Sequence, residues 1–293
     1  MAISDNLRGV IYMNVSMLAF TVNDTFMKAA TQTLPLFEAI SIRGVVCIVA
    51  LLLIATAMGS LRLWPARRDR VVIAWRSLAE VGGTVFFLTA LIQMPLANLS
   101  AIMQVLPLAV ALAAAVFLGV PIGWRRLTAI LVGFVGVMII IRPGAHSFTI
   151  WSMLGLASVV CVVVRDLATR ALSPGVPSIA VSIWAAVAVT AMGLVGAAIE
   201  GWQPVSLREA ALVLGAAAFL IVGYLFSVMV MRVGDIGLIA PFRYTALVWA
   251  ILLGWLAFGA LPDGLTLIGA GIVVASGLFT LWRERALRRA GAL

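Results

Sequence analysis

The chain has 293 residues, of which 64% are hydrophobic and 11% charged, with a mean hydropathy of +1.18. That mix lies outside the range of soluble domains and defines an integral membrane protein. The formal charge of +9 does not signal a nucleic-acid partner, because the basic residues are scattered between apolar segments instead of lining one amphipathic face.

Taking about 20 residues as the length that crosses the hydrocarbon core, the apolar runs and their Pro, Gly or charged punctuation predict ten helices. In chain order they are 7–28, 36–58, 72–93, 96–118, 125–142, 151–171, 177–199, 208–232, 236–260 and 264–282. The first run exceeds a signal-peptide core and reads as a retained span. A closed β-barrel would need strands of about ten residues with alternating polarity, and "LTAILVGFVGVMIII" (127–141) shows none. Cys47 and Cys161 both fall in apolar runs, so neither a disulfide framework nor a multi-cysteine metal site is on offer.

With the N-terminus in the cytoplasm, the inner connections receive Arg8, Arg62, Arg67, Arg68, Arg70, Arg76, Arg125, Arg126, Arg165, Arg170, Arg232, Arg283, Arg285, Arg288 and Arg289. The outer ones receive Lys28, Arg142 and Arg208. Fifteen against three places both termini, including the short basic tail, in the cytoplasm of a multi-pass inner-membrane protein.

Halving the chain exposes a repeat. A shift of 142 superposes Ser16 on Ser158, Asp24 on Asp166, Lys28 on Arg170 and Pro35 on Pro177; a shift of 139 or 140 superposes Leu99 on Leu238, Ala101 on Ala240 and Gly119 on Gly259. The expected organisation is two five-helix repeats, 1–148 and 149–293, inverted because an odd number of spans makes the second half enter from the other side. Inverted repeats are a recurring construction of secondary transporters, with the substrate site between the halves near the midplane.

Other chemistries lack their residues. The sole histidine, His146, sits in the outer loop "RPGAHSFT", where solvation is the ordinary state. The sole lysine is Lys28, which rules out a phosphate-binding G-x-x-x-x-G-K-[ST] loop, and no H-E-x-x-H or G-x-S-x-G occurs. No enzyme activity, metal or cofactor is expected; a membrane-bound enzyme or sensor would need a soluble domain or reactive cluster that the chain lacks.

Charges inside spans are costly, about 2.5–3.5 kcal/mol each at a helix centre, so they face a partner or a wetted cavity. Counting residues from span ends, at about 1.5 Å each, puts Glu80 and Arg243 at one level toward the cytoplasm and Asp24 and Arg43 together in the outer third. Two ion pairs are expected, either as neutralised struts or, for Glu80 with Arg243, as a pair that opens to a charged substrate. Lys28, one turn after Asp24, offers a simple i,i+4 alternative.

Polar and aromatic residues at these levels sketch a lining: Asn14 and Thr21 on helix one; Thr84 and Phe87 beside Glu80; Asn98 and Gln104 before Pro107; Tyr224 and Ser227; Phe242, Tyr244 and Trp249 around Arg243. Pro107 loosens the backbone and marks a bend. An arginine fork suits a carboxylate, and aromatic surroundings suit a flat or apolar body. Small residues at four-residue spacing, Ala129 with Gly133 and Gly271 with Ala275, are expected to let the fifth and tenth spans approach neighbours closely.

Ten spans in two halves, Arg43 in "AISIRGVV", and halves closing on "LPLAVALAAAVFLG" with "AILVGFVGVMII" and on "LVWAILLGWLAFG" with "LIGAGIVVASGLF" resemble the EamA-type members of the drug/metabolite transporter superfamily, and within it the YddG-like exporters of aromatic and other neutral amino acids. Val120 and Ala260 stand where many members place glutamate, so no role of those glutamates carries over. The resemblance implies a cavity lined by helices one, three, four, six, eight and nine, and export of amino acids or related metabolites by alternating access. The partners implied are a small-molecule substrate and the bilayer, with a monomer able to function. Import of a cofactor-like metabolite, of the S-adenosylmethionine or flavin type, is the alternative. Residues alone leave direction and proton coupling open.

Overall fold

A computed structural model describes residues 5–57, 59, 65–119, 123–142, 149–173, 175–230, 233 and 236–289. Arg62, Val120, His146, Arg232 and the repeat boundary at 148 lie outside the described residues, as do the side chains of Arg285, Arg288 and Arg289. The described residues form helices and no strand. In order these are α1 (Asp5–Ala30), α2 (Leu36–Ala57), α3 (Arg67–Gln93), α4 (Leu96–Met103), α5 (Leu106–Leu118), α6 (Trp124–Ile141), α7 (Ile150–Arg170), α8 (Ser178–Glu200), α9 (Leu207–Val230), α10 (Ile236–Ile239), a 3-10 turn (Ala240–Tyr244), α11 (Thr245–Phe258) and α12 (Gly264–Arg289).

Among the described residues nine segments have the length and apolarity to cross a bilayer, α4 with α5 counting as one and the 3-10 turn with α11 as another. Helix α1 has the length, 26 residues, but Asn14, Asn23, Asp24 and Lys28 dilute its apolar content. Prolines start helices and glycines end them. Pro35 precedes α2 and Pro177 caps α8, each giving its carbonyl to the first turn. Gly119 (φ 66°) and Gly259 (φ 63°) close α5 and α11 in the left-handed conformation that other residues enter only at a cost.

The chain forms two compact units, each drawing on both halves of the sequence. The first comprises residues 1–22, 94–156 and 222–293, and the second 23–93 and 157–221. In the first, α6 packs along α12 and α4 against α11; in the second, α2 packs along α8. The α6–α12 crossing depends on glycine: a Cβ on Gly136 would stand 2.8 Å from the Gly269 carbonyl oxygen, and one on Gly269 would stand 2.6 Å from that of Gly136. Gly133 belongs to the same contact, against Leu108 and Ser276. The close approach expected at Gly271 and Ala275 does not occur. A methyl added to Gly271 would have no atom within 4 Å and Ala275 is exposed, because the α12 stripe that meets α6 is rotated to Gly269, Val273 and Ser276.

Two serines make similar bonds. Ser16 donates to the Gly223 carbonyl at 2.9 Å, and Ser158 donates to the Gly83 carbonyl at 3.2 Å. Gly83 and Gly223 are themselves separated by the 140-residue shift.

At one end of the first unit Asp263 caps α12, accepting from the Thr266 N–H at 2.8 Å, and pairs with Arg142, which ends α6 in the left-handed conformation (φ 53°). The Arg142 hydrogen bond, and then those from Thr266, pull the Asp263 carboxyl from its ordinary 3.8 down to about 2. A lowered carboxylate pKa contributes stability above the unfolded value that is lost as the pH falls through the folded one. Thermal melts of detergent-solubilised Asp263→Asn are therefore expected to lie below wild type at pH 7, with the gap closing as the pH drops from 3.8 to about 2. A gap unchanged at pH 2 would mean that the ion pair is not its source.

Candidate functional site

Two expected helices are interrupted, and both interruptions lie in the first unit. The predicted span 96–118 breaks between α4 and α5, where Pro107 at the start of α5 has no N–H to give the Met103 carbonyl. Val105 bonds to the Ile102 carbonyl at 3.2 Å, a tightened turn. The predicted span 236–260 breaks at the 3-10 turn, whose Pro241 likewise donates nothing, and Thr245 Oγ1 closes it onto the Phe242 carbonyl at 2.6 Å. Sequence reading marks the first bend through Pro107 and misses the second.

The offset of 140 that superposes Gly119 on Gly259 also superposes Gln104 on Tyr244. These two residues meet: the buried Gln104 donates Nε2 to the Tyr244 carbonyl at 3.4 Å. Tyr244 is buried, with its ring laid on Gly277, and its hydroxyl has no hydrogen-bond partner among the described residues. The same holds for Asn98 Oδ1 on α4 and Trp249 Nε1 on α11. Among the described residues these three buried polar atoms have no partner of their own, and each is open to a polar group of a ligand. Arg243 occupies the 3-10 turn, exposed, without a hydrogen bond or ion pair among the described residues of its unit.

Phe242 packs on the cluster of Met13, Val230 and Ile239, joined by Tyr12 and Met17, which ties the second break to α1 and α9. Those helices meet through edge-on rings, Tyr12 on Phe226 and Phe20 on Tyr224, each at 5.6 Å. Asn14 and Thr21 turn their side chains back to the Val10 and Met17 carbonyls of their own helix. Both therefore have a partner within α1, whereas Gln104 and Tyr244 meet at the breaks, with Asn98 on α4 and Trp249 on α11.

In the second unit, Glu80 is held by Arg165 at 3.2 Å and Arg76 at 3.4 Å, with side chains only 12–26% exposed. Arg165 also holds Asp166 at 2.9 Å, and Arg76 donates to Thr169. Glu80 and Arg243 fall in different units. Sequence reading counts Arg76 and Arg165 among the connections; both lie inside α3 and α7, and the depth count applied to Glu80 would have found them. Phe87, on the same helix as Glu80, is half-buried.

Asp24 and Arg43 are linked through a residue that sequence reading passes over. Arg43 donates to Asn23 Oδ1 at 3.3 Å, and Asn23 donates to Asp24 Oδ1 at 2.9 Å. Lys28 is directed to the Leu91 and Ile92 carbonyls at the end of α3, a cation at a helix C-terminus.

Residues 7–142 match the sequence model of the EamA-like transporter family. Over 92% of its length the chain is 25% identical to the pseudopaline exporter CntI of Pseudomonas aeruginosa, spanning 94% of that protein. It is 27% identical to the S-adenosylmethionine uptake transporter of Rickettsia bellii, covering 94% of each, and 26% identical to the riboflavin transporter of Vibrio cholerae, covering 97% of this chain and 96% of that one. A solved crystal structure shares the fold with a TM-score of 0.65 at 20% identity, over 93% of this chain and 96% of the other. The likeness is thus to the EamA-like transporter family over residues 7–142 and to membrane transporters over most of the chain. Their names span export and uptake, and three different cargoes.

Proposed function

We propose that the chain is a secondary transporter of the inner membrane that exports aromatic or neutral amino acids, or related small metabolites, by alternating access of two inverted five-helix repeats with both termini cytoplasmic. The observation that carries this reading is the meeting of the two helix breaks at Gln104 and Tyr244. Opened helices at corresponding points of two repeats are where such folds expose backbone dipoles to substrate. Arg243 in the turn supplies a guanidinium for a carboxylate, and Asn98, Gln104, Tyr244 and Trp249 supply polar atoms and flat surfaces for the rest. Tyr224, Asn14 and Thr21 of the same unit are proposed as the border of this lining, whereas Glu80 and Phe87 lie in the second unit.

The names of the relatives favour a second reading, uptake or export of a larger metabolite of the S-adenosylmethionine or flavin type. Export has its own support in the pseudopaline exporter. Proteoliposomes loaded with labelled phenylalanine, leucine, S-adenosylmethionine or riboflavin separate the two. The first reading expects the amino acids to move, Arg243→Gln to slow them roughly tenfold or more, as for loss of a charge-assisted hydrogen bond, and transport of the matching amino-acid amides to be indifferent to that change. Movement of riboflavin or S-adenosylmethionine without the amino acids would establish the second reading, and equal loss on acids and amides would remove Arg243 from carboxylate recognition.

A further inference from the structure

The second unit carries a groove that the transport reading does not use. It lies between α3 and α8, holds about 470 Å³, and is lined by Ile73, Ala74, Leu78, Val81, Trp184 and Val187 among others. Two polar residues interrupt this apolar lining, Arg70 and Ser77. Ser77 is 7% exposed, yet its hydroxyl has no hydrogen-bond partner among the described residues. A helical serine ordinarily turns to the carbonyl four residues back, and a buried hydroxyl left without that bond costs free energy until something in the groove accepts its proton.

Arg70 stands at the mouth, with Arg67 and Arg68 in the same first turn of α3, all three exposed. The one acid of that turn does not offset them. Asp69 is buried and accepts from the Ser173 N–H at 3.1 Å and hydroxyl at 3.0 Å. From Arg70 to Val81 the helix rises about 16 Å at about 1.5 Å per residue, close to half of the roughly 30 Å hydrocarbon core. The groove therefore has a basic mouth, a single hydroxyl two turns further in, and an apolar trough one leaflet deep.

We propose that this groove is a binding site for an anionic phospholipid, with its phosphate on Arg70, an ester carbonyl accepting from Ser77, and one acyl chain laid along Ala74, Leu78 and Val81 against Trp184 and Val187. Basic pockets between membrane helices hold anionic headgroups by this combination of charge and tail burial. A zwitterionic lipid offers the same tail without the net charge.

The test uses the full chain extracted from vesicles of mixed phosphatidylglycerol and phosphatidylcholine, with retained lipid read by native mass spectrometry. Wild type is expected to keep phosphatidylglycerol in preference to phosphatidylcholine. Arg70→Gln is expected to lower that retention roughly fivefold, the effect of one basic residue near an anionic surface. Ala74→Phe, which fills the trough, is expected to reduce both lipids, and Ala188→Leu serves the same purpose if the first variant fails to fold. Equal retention of the two lipids by wild type, unchanged preference in Arg70→Gln, or displacement of the lipid by inorganic phosphate alone would overturn the proposal. So would a dimer that Ala74→Phe dissociates without any lipid having been retained, since a second copy would then be the occupant.

Discussion

Gly269→Val is expected to be among the most damaging single changes in the first unit, lowering stability by about 3 kcal/mol, the upper end of the usual cost of overpacking. The added Cβ alone would stand 2.6 Å from the Gly136 carbonyl oxygen and 2.7 Å from Ile140 Cγ1. Backbone cannot swing aside as a side-chain tip can, so α6 and α12 must separate, and every contact along that crossing weakens with them. The control sits two residues away: Gly271 has nothing within 4 Å of an added methyl. Gly271→Ala should be neutral or stabilising, since alanine is favoured over glycine inside a helix by about 1 kcal/mol. Thermal unfolding in detergent reads both variants. Similar melting temperatures for the pair would refute the assignment of the crossing to Gly136 and Gly269.

The second large effect is expected at Glu80. Glu80→Ala leaves Arg76 and Arg165 facing each other's charge inside the membrane-spanning part of the second unit, with most of their surface buried. Removing one partner of a fully buried pair costs about 3–5 kcal/mol; partial exposure here brings the expected loss to about 2–3 kcal/mol. A double-mutant cycle with Glu80→Gln and Arg165→Gln should return a coupling of more than about 1 kcal/mol. Strict additivity of the two changes would show that the 3.2 Å contact carries no interaction energy.

Helix positions are legible in the sequence because apolar length, proline starts and glycine ends all act locally; most expected spans fall within a few residues of the observed ones. The sequence pairs Ser16 with Ser158 at an offset of 142, and in the structure each of these serines donates to a glycine carbonyl. What cannot be read is what depends on neighbours. The break at the 3-10 turn follows from Pro241 in a stretch whose composition is as apolar as an unbroken helix. Arg76 and Arg165 look like topology markers because a sequence shows that an arginine is near a span end but not that a carboxylate on another helix is waiting for it. Asn23 escapes notice since it carries no charge, although it is the group that joins Arg43 to Asp24. Gly271 stands out over Gly269 because four-residue spacing identifies a stripe of small residues without saying which way it faces.

The reciprocal serine bonds bear on how the two halves of the chain depend on each other. In each bond the hydroxyl is contributed by one half of the polypeptide and the receiving carbonyl by the other. Neither half completes these contacts by itself, and each compact unit is built from segments of both.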